Sequence, residues 1–148
     1  MTVRVLGFDD LDSRTAYALW RLRQQVFVVE QQSPYPDLDG RDLEPATRHV
    51  LATDGSADDQ ELVGCLRVLD DGTCARIGRV VVAPAARGRG LARELMDAAM
   101  AEIGGREIRL DAQTGLSDWY ARYSFEVSGP EFVEDGVAHL PMRRAQAE

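Results

Sequence analysis

The chain has 148 residues, 45% apolar and 28% charged, with a net charge of −8, so it has the length of one domain spanning residues 1–148 and lacks the basic excess of a nucleic-acid protein. No apolar run reaches the ~18 residues of a membrane helix, and Met1 to Asp10 holds no basic-then-apolar leader, which points to a cytoplasmic protein without membrane contact. Two cysteines, Cys65 and Cys74, are too few for a disulfide scaffold and lack metal-ligand spacing, so buried thiols and no metal are expected.

Val3, Val5 and Phe8 alternate with polar residues and predict a first strand. Asp12 or Ser13 then caps a helix whose apolar residues, Ala16, Leu19, Trp20, Val26 and Phe27, recur at helical spacing as far as Glu30, with Arg14, Arg21 and Arg23 on other faces. Gln31 to Thr47 carries prolines and acids without periodicity and predicts a long loop, a type that is often functional in compact domains. His49 to Asp54 and Glu61 to Leu69 read as strands, and Asp71-Gly72 signals a hairpin into a strand from Cys74 to Val82. A two-residue turn there would set Cys74 opposite Leu69 and Cys65 opposite Gly78, which argues against a disulfide.

Leu91, Leu95, Ala98, Ala99 and Ile103 predict a helix stopped by Gly104-Gly105. Glu107 to Gln113 reads as a strand, Leu116 to Arg122 as a short helix, and Phe125 to Phe132 with Val137 to Met142 as a terminal hairpin about Asp135-Gly136. The interleaving of helices and strands predicts a mixed α/β domain.

Charge is unevenly placed. Gln31 to Glu61 holds eight acids against Arg41 and Arg48, whereas Thr73 to Arg93 holds five arginines and no acid. That basic stretch suggests an anionic small molecule. All 17 cations are arginine, and asparagine is absent too. Both missing residues use AT-rich codons, so a GC-rich coding bias explains the pair, and catalytic lysine is excluded.

The most informative run is RVVVAPAARGRGLARELM, residues 79–96: an apolar strand, a proline turn, a glycine-rich arginine loop and the start of an amphipathic helix. Small residues allow close approach of a ligand to the backbone, and a helix start offers unpaired N–H groups and a favourable dipole to an anion. A diphosphate fits this pattern, which is neither a Walker loop nor a Rossmann fingerprint.

Arg87, Gly90 and Ala92 match the Gln/Arg-x-x-Gly-x-Gly/Ala signature, and on this ground the chain resembles the GNAT superfamily of acyl-CoA-dependent N-acetyltransferases over nearly its whole length. FVVEQ from Phe27, DLDGRD ahead of His49, WYARYSF around Tyr120 and EDGVAHLPM near the end are similar to the ElaA-like branch. The resemblance implies a mostly antiparallel sheet flanked by helices and acetyl-CoA as cosubstrate. It further implies that Val80, Val81 and Val82 pair with the pantetheine arm, that Gly88, Arg89, Gly90, Leu91, Ala92 and Arg93, after Arg87, wrap the pyrophosphate, and that Gln113, where many relatives carry asparagine, keeps a CoA contact with its longer amide. Strand addition gives the pantetheine pairing a physical basis.

The implied chemistry is attack of a neutral primary amine on the thioester, which needs an oxyanion site and a proton for the departing thiolate. By position in the family, Tyr120 rather than Tyr17 or Tyr123 would be that acid. Relatives often carry a strand glutamate as base, yet Arg76 to Val82 holds no acid. Candidates are therefore Asp111, Glu30, His49 and His139, or a relayed water; histidine titrates near neutrality. Relatives usually have glycine where Ser124 stands, which questions the local turn. The acids of the long loop, Asp37, Asp39, Asp42 and Glu44, either attract a cationic amine or form a solvated face.

The expected function is an N-acetyltransferase acting on a small molecule or peptide, for which a homodimer is compatible. The missing strand glutamate keeps open a CoA-binding regulatory module without transfer activity. A nucleic-acid patch at RGRG is disfavoured by the acidic surroundings.

Overall fold

The computed structural model describes residues 1–56 and 59–147. Its elements are β1 (Thr2–Leu6), α1 (Ser13–Arg23), β2 (Arg48–Ser56), β3 (Asp59–Asp70), β4 (Ala75–Val82), α2 (Leu91–Ile103), β5 (Ile108–Gln113), α3 (Ser117–Ala121), β6 (Glu126–Val127), β7 (Phe132–Glu134) and β8 (Val137–Arg144). One sheet runs in the order β1-β2-β3-β4-β5-β8-β6, with β7 also paired to β8. Every pairing is antiparallel except β4 with β5. The expected mixed, mostly antiparallel α/β architecture is therefore present. No helix among the described residues is long and apolar enough to cross a membrane.

The two faces of the sheet are covered by different helices. Leu91, Leu95, Met96 and Ala99 of α2 are buried against Val50, Leu66, Ile77 and Ile108. Each large side chain among them contributes about 1.5–3 kcal/mol by leaving water. Leu19, Leu22 and Val26 form a helical stripe that packs on Leu51, Cys65 and Val81 from the opposite face.

Asp12 caps α1 by accepting from the Thr15 amide at 2.7 Å. The helix then widens into a π-helical segment, Gln24–Glu30, in which the Gln31 amide reaches back to the Val26 carbonyl at 3.2 Å. Such widened turns are frequent at functional sites. Three expectations are corrected here. Arg23 lies on the packed side of α1 and is only 1% exposed, because its guanidinium is neutralised by carboxylates from the following loop. The β3–β4 connection spans four residues, since Asp70 pairs with Ala75, and Cys65 therefore faces Val81 rather than Gly78, and Cys74 does not pair with Leu69. The last hairpin has two short first strands in place of one, because Ser128 to Glu131, with Pro130 among them, bulges out of the ladder. Its turn is as expected: Asp135 and Gly136 take φ values of +50° and +78°, the pattern of a type I′ turn. Both cysteines are free and buried.

Candidate active site

β4 and β5 remain paired only at Ala75–Ile108 and Arg76–Arg109. Beyond these residues they diverge, and a cleft of about 690 Å³ lies between Gly78 to Val82 on one wall and Leu110, Asp111 and Gln113 on the other. Divergence leaves the β5-facing edge of β4 without a strand to pair with. A main-chain edge of this kind accepts an extended ligand carrying amides. The side chain of Val81 packs with Leu19 and Leu22 in the core, so its main chain is what it offers the cleft.

The opposite edge of β4 carries a bulge. Cys65 pairs with Val81 and Arg67 with Gly78, so Arg79 and Val80 together face Leu66. Arg79 takes φ +50°, a left-handed conformation that is strained for a residue with a Cβ. Bulging leaves main-chain groups outside the ladder, and both bulge residues, Arg79 and Val80, line the cleft.

At the end of β4 the chain turns through Pro84–Ala86 into the glycine-rich loop. Gly88 and Gly90 have φ values of +83° and +78°, and a Cβ built on either meets nothing within 4 Å. Gly90 is the N-cap of α2, and no side chain caps that helix. The first-turn amides of Leu91, Ala92 and Arg93 have no acceptor within the helix. Open space, free donors and the positive end of the helix dipole thus converge, and they fit a diphosphate. The arginines of this loop are themselves anchored. Arg87 donates to both carboxylate oxygens of Glu30 at 2.7 Å each and to the Val82 carbonyl at 3.2 Å, and Arg89 donates to Asp54 at 3.0 Å.

The catalytic candidates separate by position. Tyr120 is 7% exposed, lines the cleft, and has its phenol pushed up to about 12 by burial alone. It therefore stays protonated at neutral pH. Asp111 and His139 also line the cleft. They share one face of the β5–β8 ladder, where Gln113 faces His139 and Asp111 faces Pro141. Arg76 donates to Asp111 at 3.3 Å, and His139 Nδ1 is 2.8 Å from the Val137 carbonyl. Glu30 is occupied by Arg87, whose hydrogen bonds hold its carboxyl below the usual range. His49 is away from the cleft: it is 1% exposed, edge-on to Trp20 with centroids 5.7 Å apart, and Nε2 is 3.3 Å from the Asp42 carbonyl. Burial lowers its pKa. A side chain so enclosed has no route to an acceptor amine, which corrects its place among the bases.

The loop acids are engaged by arginines; Asp37 and Asp42 are buried, whereas Asp39 and Glu44 stay partly exposed to solvent. Asp37 and Asp42 bind Arg23 at 2.9 and 2.7 Å, Asp39 binds Arg67 at 2.6 and 2.9 Å, and Arg41 holds Glu44 at 3.0 Å. These ion pairs leave none of the four acids free as a lure for a cationic amine, contrary to that expectation. Arg76 and Arg79 of the basic stretch face carboxylates too, and both lie on β4, ahead of the glycine-rich loop.

A family model described as an acetyltransferase (GNAT) domain matches residues 22–145. The chain belongs to the GNAT acetyltransferase family. The UPF0039 protein Rv2851c of Mycobacterium tuberculosis is 44% identical over 146 residues, covering 96% of this chain and 92% of that protein. Protein ElaA of Escherichia coli is 37% identical, covering 94% of this chain and 93% of its own, and its crystal structure matches with a TM-score of 0.86 over 97% of this chain and 98% of that one. A crystal structure of an acyl-CoA N-acyltransferase from Pseudomonas aeruginosa matches with a TM-score of 0.87 and 37% identity, covering 98% of this chain and all of that one. As a GNAT chain this one departs at Ser124, which stands where glycine is usual. It nevertheless adopts φ +69°, so the turn after α3 keeps its left-handed form. The Asp37–Arg79 contact beside the bulge had no signal in sequence, since its partners are 42 residues apart.

Proposed function

We propose that residues 1–148 form one acetyl-CoA-dependent N-acetyltransferase domain acting on a primary amine of a small molecule or peptide. The observation that carries this reading is the open edge of β4, which runs from the uncapped start of α2 to a cleft lined by Tyr120. Val80 to Val82 would pair with the pantetheine amides by strand addition, Arg87 to Arg93 would hold the pyrophosphate, and Gln113 would contact the arm from β5.

The acceptor then attacks the thioester carbonyl from the side of the cleft formed by Phe27, Tyr35 and Val137. Main-chain N–H groups of the β4 bulge stabilise the oxyanion, since fixed donors in a low-dielectric cleft are effective where charge develops. Tyr120, protonated and buried, donates its proton to the thiolate as the C–S bond breaks. The amine loses its proton to Asp111 or His139, directly or through a water; of the four candidate bases, these two border the cleft.

The test is continuous thiol release from acetyl-CoA with a panel of amines. Turnover with an amine supports the transferase. Tight CoA binding with no turnover across the panel replaces it with a CoA-binding module.

A further inference from the structure

Arg79 holds a left-handed conformation inside a strand, and such a conformation persists where the surroundings over-determine it. Besides a longer contact of Nη2 with Asp39 Oδ2 at 3.5 Å, its side chain is gripped at three points. Nε lies 2.8 Å from Asp37 Oδ1, Nη2 donates to the Asp37 carbonyl at 3.2 Å, and the guanidinium covers the Tyr35 ring at 5.5 Å. Tyr35 donates its hydroxyl to the same Asp37 oxygen at 2.7 Å. The other Asp37 oxygen accepts from Arg23 Nε at 2.9 Å. Arg23, fully buried, is in turn fixed by Asp42 at 2.7 Å and by the Trp20 ring at 5.1 Å. A chain of buried charges therefore runs from α1 through the loop to the bulge of β4.

We propose that Asp37 is a positioning residue for acyl transfer, gripping Arg79 so that the β4 bulge keeps its left-handed form and its unpaired main-chain groups stay in the cleft wall. The inference rests on the transferase reading above. Asp37 is not among the residues that line the cleft, so it acts through the Arg79 backbone. Glycine would reach the same φ without strain, but nothing would then fix it. Arginine makes the geometry of the bulge depend on the loop, and that dependence explains why the loop acids are turned inward.

The experiment compares wild type, Asp37→Asn, Arg79→Gly and the double variant in acetyl transfer. Asp37→Asn is expected to lower kcat by ~10²-fold, the scale of a lost oxyanion donor, with the acetyl-CoA KM within about threefold because the grip lies outside the cofactor loop. In the Arg79→Gly background the same change has no further effect, since the two act through one path. An equal fall in both backgrounds, or an unchanged kcat in Asp37→Asn, overturns the proposal. A second readout needs no turnover: the 13Cα and 13Cβ shifts of Arg79 report its left-handed backbone and move toward strand values in Asp37→Asn. Tyr35→Phe, a milder change that removes one hydrogen bond to Asp37, shifts them in the same direction and serves if Asp37→Asn does not fold. Unmoved shifts overturn the grip even if no amine is acetylated, a result that would separately defeat the transferase reading.

Discussion

Arg87 and Glu30 form a two-point ion pair, with both terminal guanidinium nitrogens 2.7 Å from the two carboxylate oxygens. It ties Arg87, at the start of the glycine-rich loop, to the end of the π-helical segment, so in the proposed function Glu30 orders that loop and is not the base. Both partners are more than a third exposed, so solvent weakens the pair. Glu30→Gln is expected to raise the acetyl-CoA KM by roughly two- to fivefold with kcat nearly constant. A collapse of kcat with an altered pH profile would return Glu30 to proton transfer.

The cofactor loop is tested at Gly90. Its φ of +78° is strained for any side chain, and its missing Cβ faces open space at the head of α2. Gly90→Val strains the cap by about 1–2 kcal/mol and places methyls where a diphosphate would lie. The acetyl-CoA KM is expected to rise by about tenfold or more, as read from initial rates. An unchanged KM would move the diphosphate elsewhere.

Tyr120→Phe keeps the ring that packs edge-on to Phe125 at 6.2 Å and removes only the hydroxyl. It is expected to lower kcat by ~10²-fold with little change in cofactor affinity. Because burial pushes this phenol up to about 12, the wild-type kcat shows no loss of the acid between pH 7 and 9. Full activity in the variant would assign the proton to another group.

Arg23→Leu should be costly for a different reason. It strands Asp37 and Asp42, both under 10% exposed, without the cation they share. Removing one partner of a buried pair costs about 3–5 kcal/mol, measurable as a shift in the urea midpoint at constant slope. A loss below about 1 kcal/mol would mean that Arg67 and Arg79 suffice to hold these acids.

Local signals carried much of the fold. Asp12 capping α1, Gly104 ending α2 with φ +73°, and the Asp135-Gly136 turn each depend on residues within a few positions. The glycine-rich loop was legible for the same reason, since its φ values and helix start are encoded consecutively. The β3–β4 register was not, because the Asp70 side chain accepts from the Gly72 amide at 2.8 Å and builds a longer turn than Asp-Gly alone suggests. The inward turning of the acidic loop was invisible too. Its cations, Arg23, Arg67 and Arg79, come from α1, β3 and β4, and no local window contains both partners.

The same network sets the response to acid. Burial lowers the pKa of His49, which faces Asp42, Arg23 and Arg67, from an unfolded value of about 6.5. Its contribution is complete above that value and is lost as pH falls through the folded pKa, because the unfolded chain binds the proton more readily. Asp39 is held low chiefly by the hydrogen bond from Arg67. Asp42 is raised by burial, but Arg23 and Arg67 more than reverse this. Both contribute fully above about pH 4 and lose that stability as pH falls toward their folded values. Urea melts should therefore show stability level near pH 8, declining from about 6.5 and falling more steeply below about 4. His49→Gln is expected to abolish the first decline and keep the second. Persistence of the upper decline in that variant would place its cause outside His49.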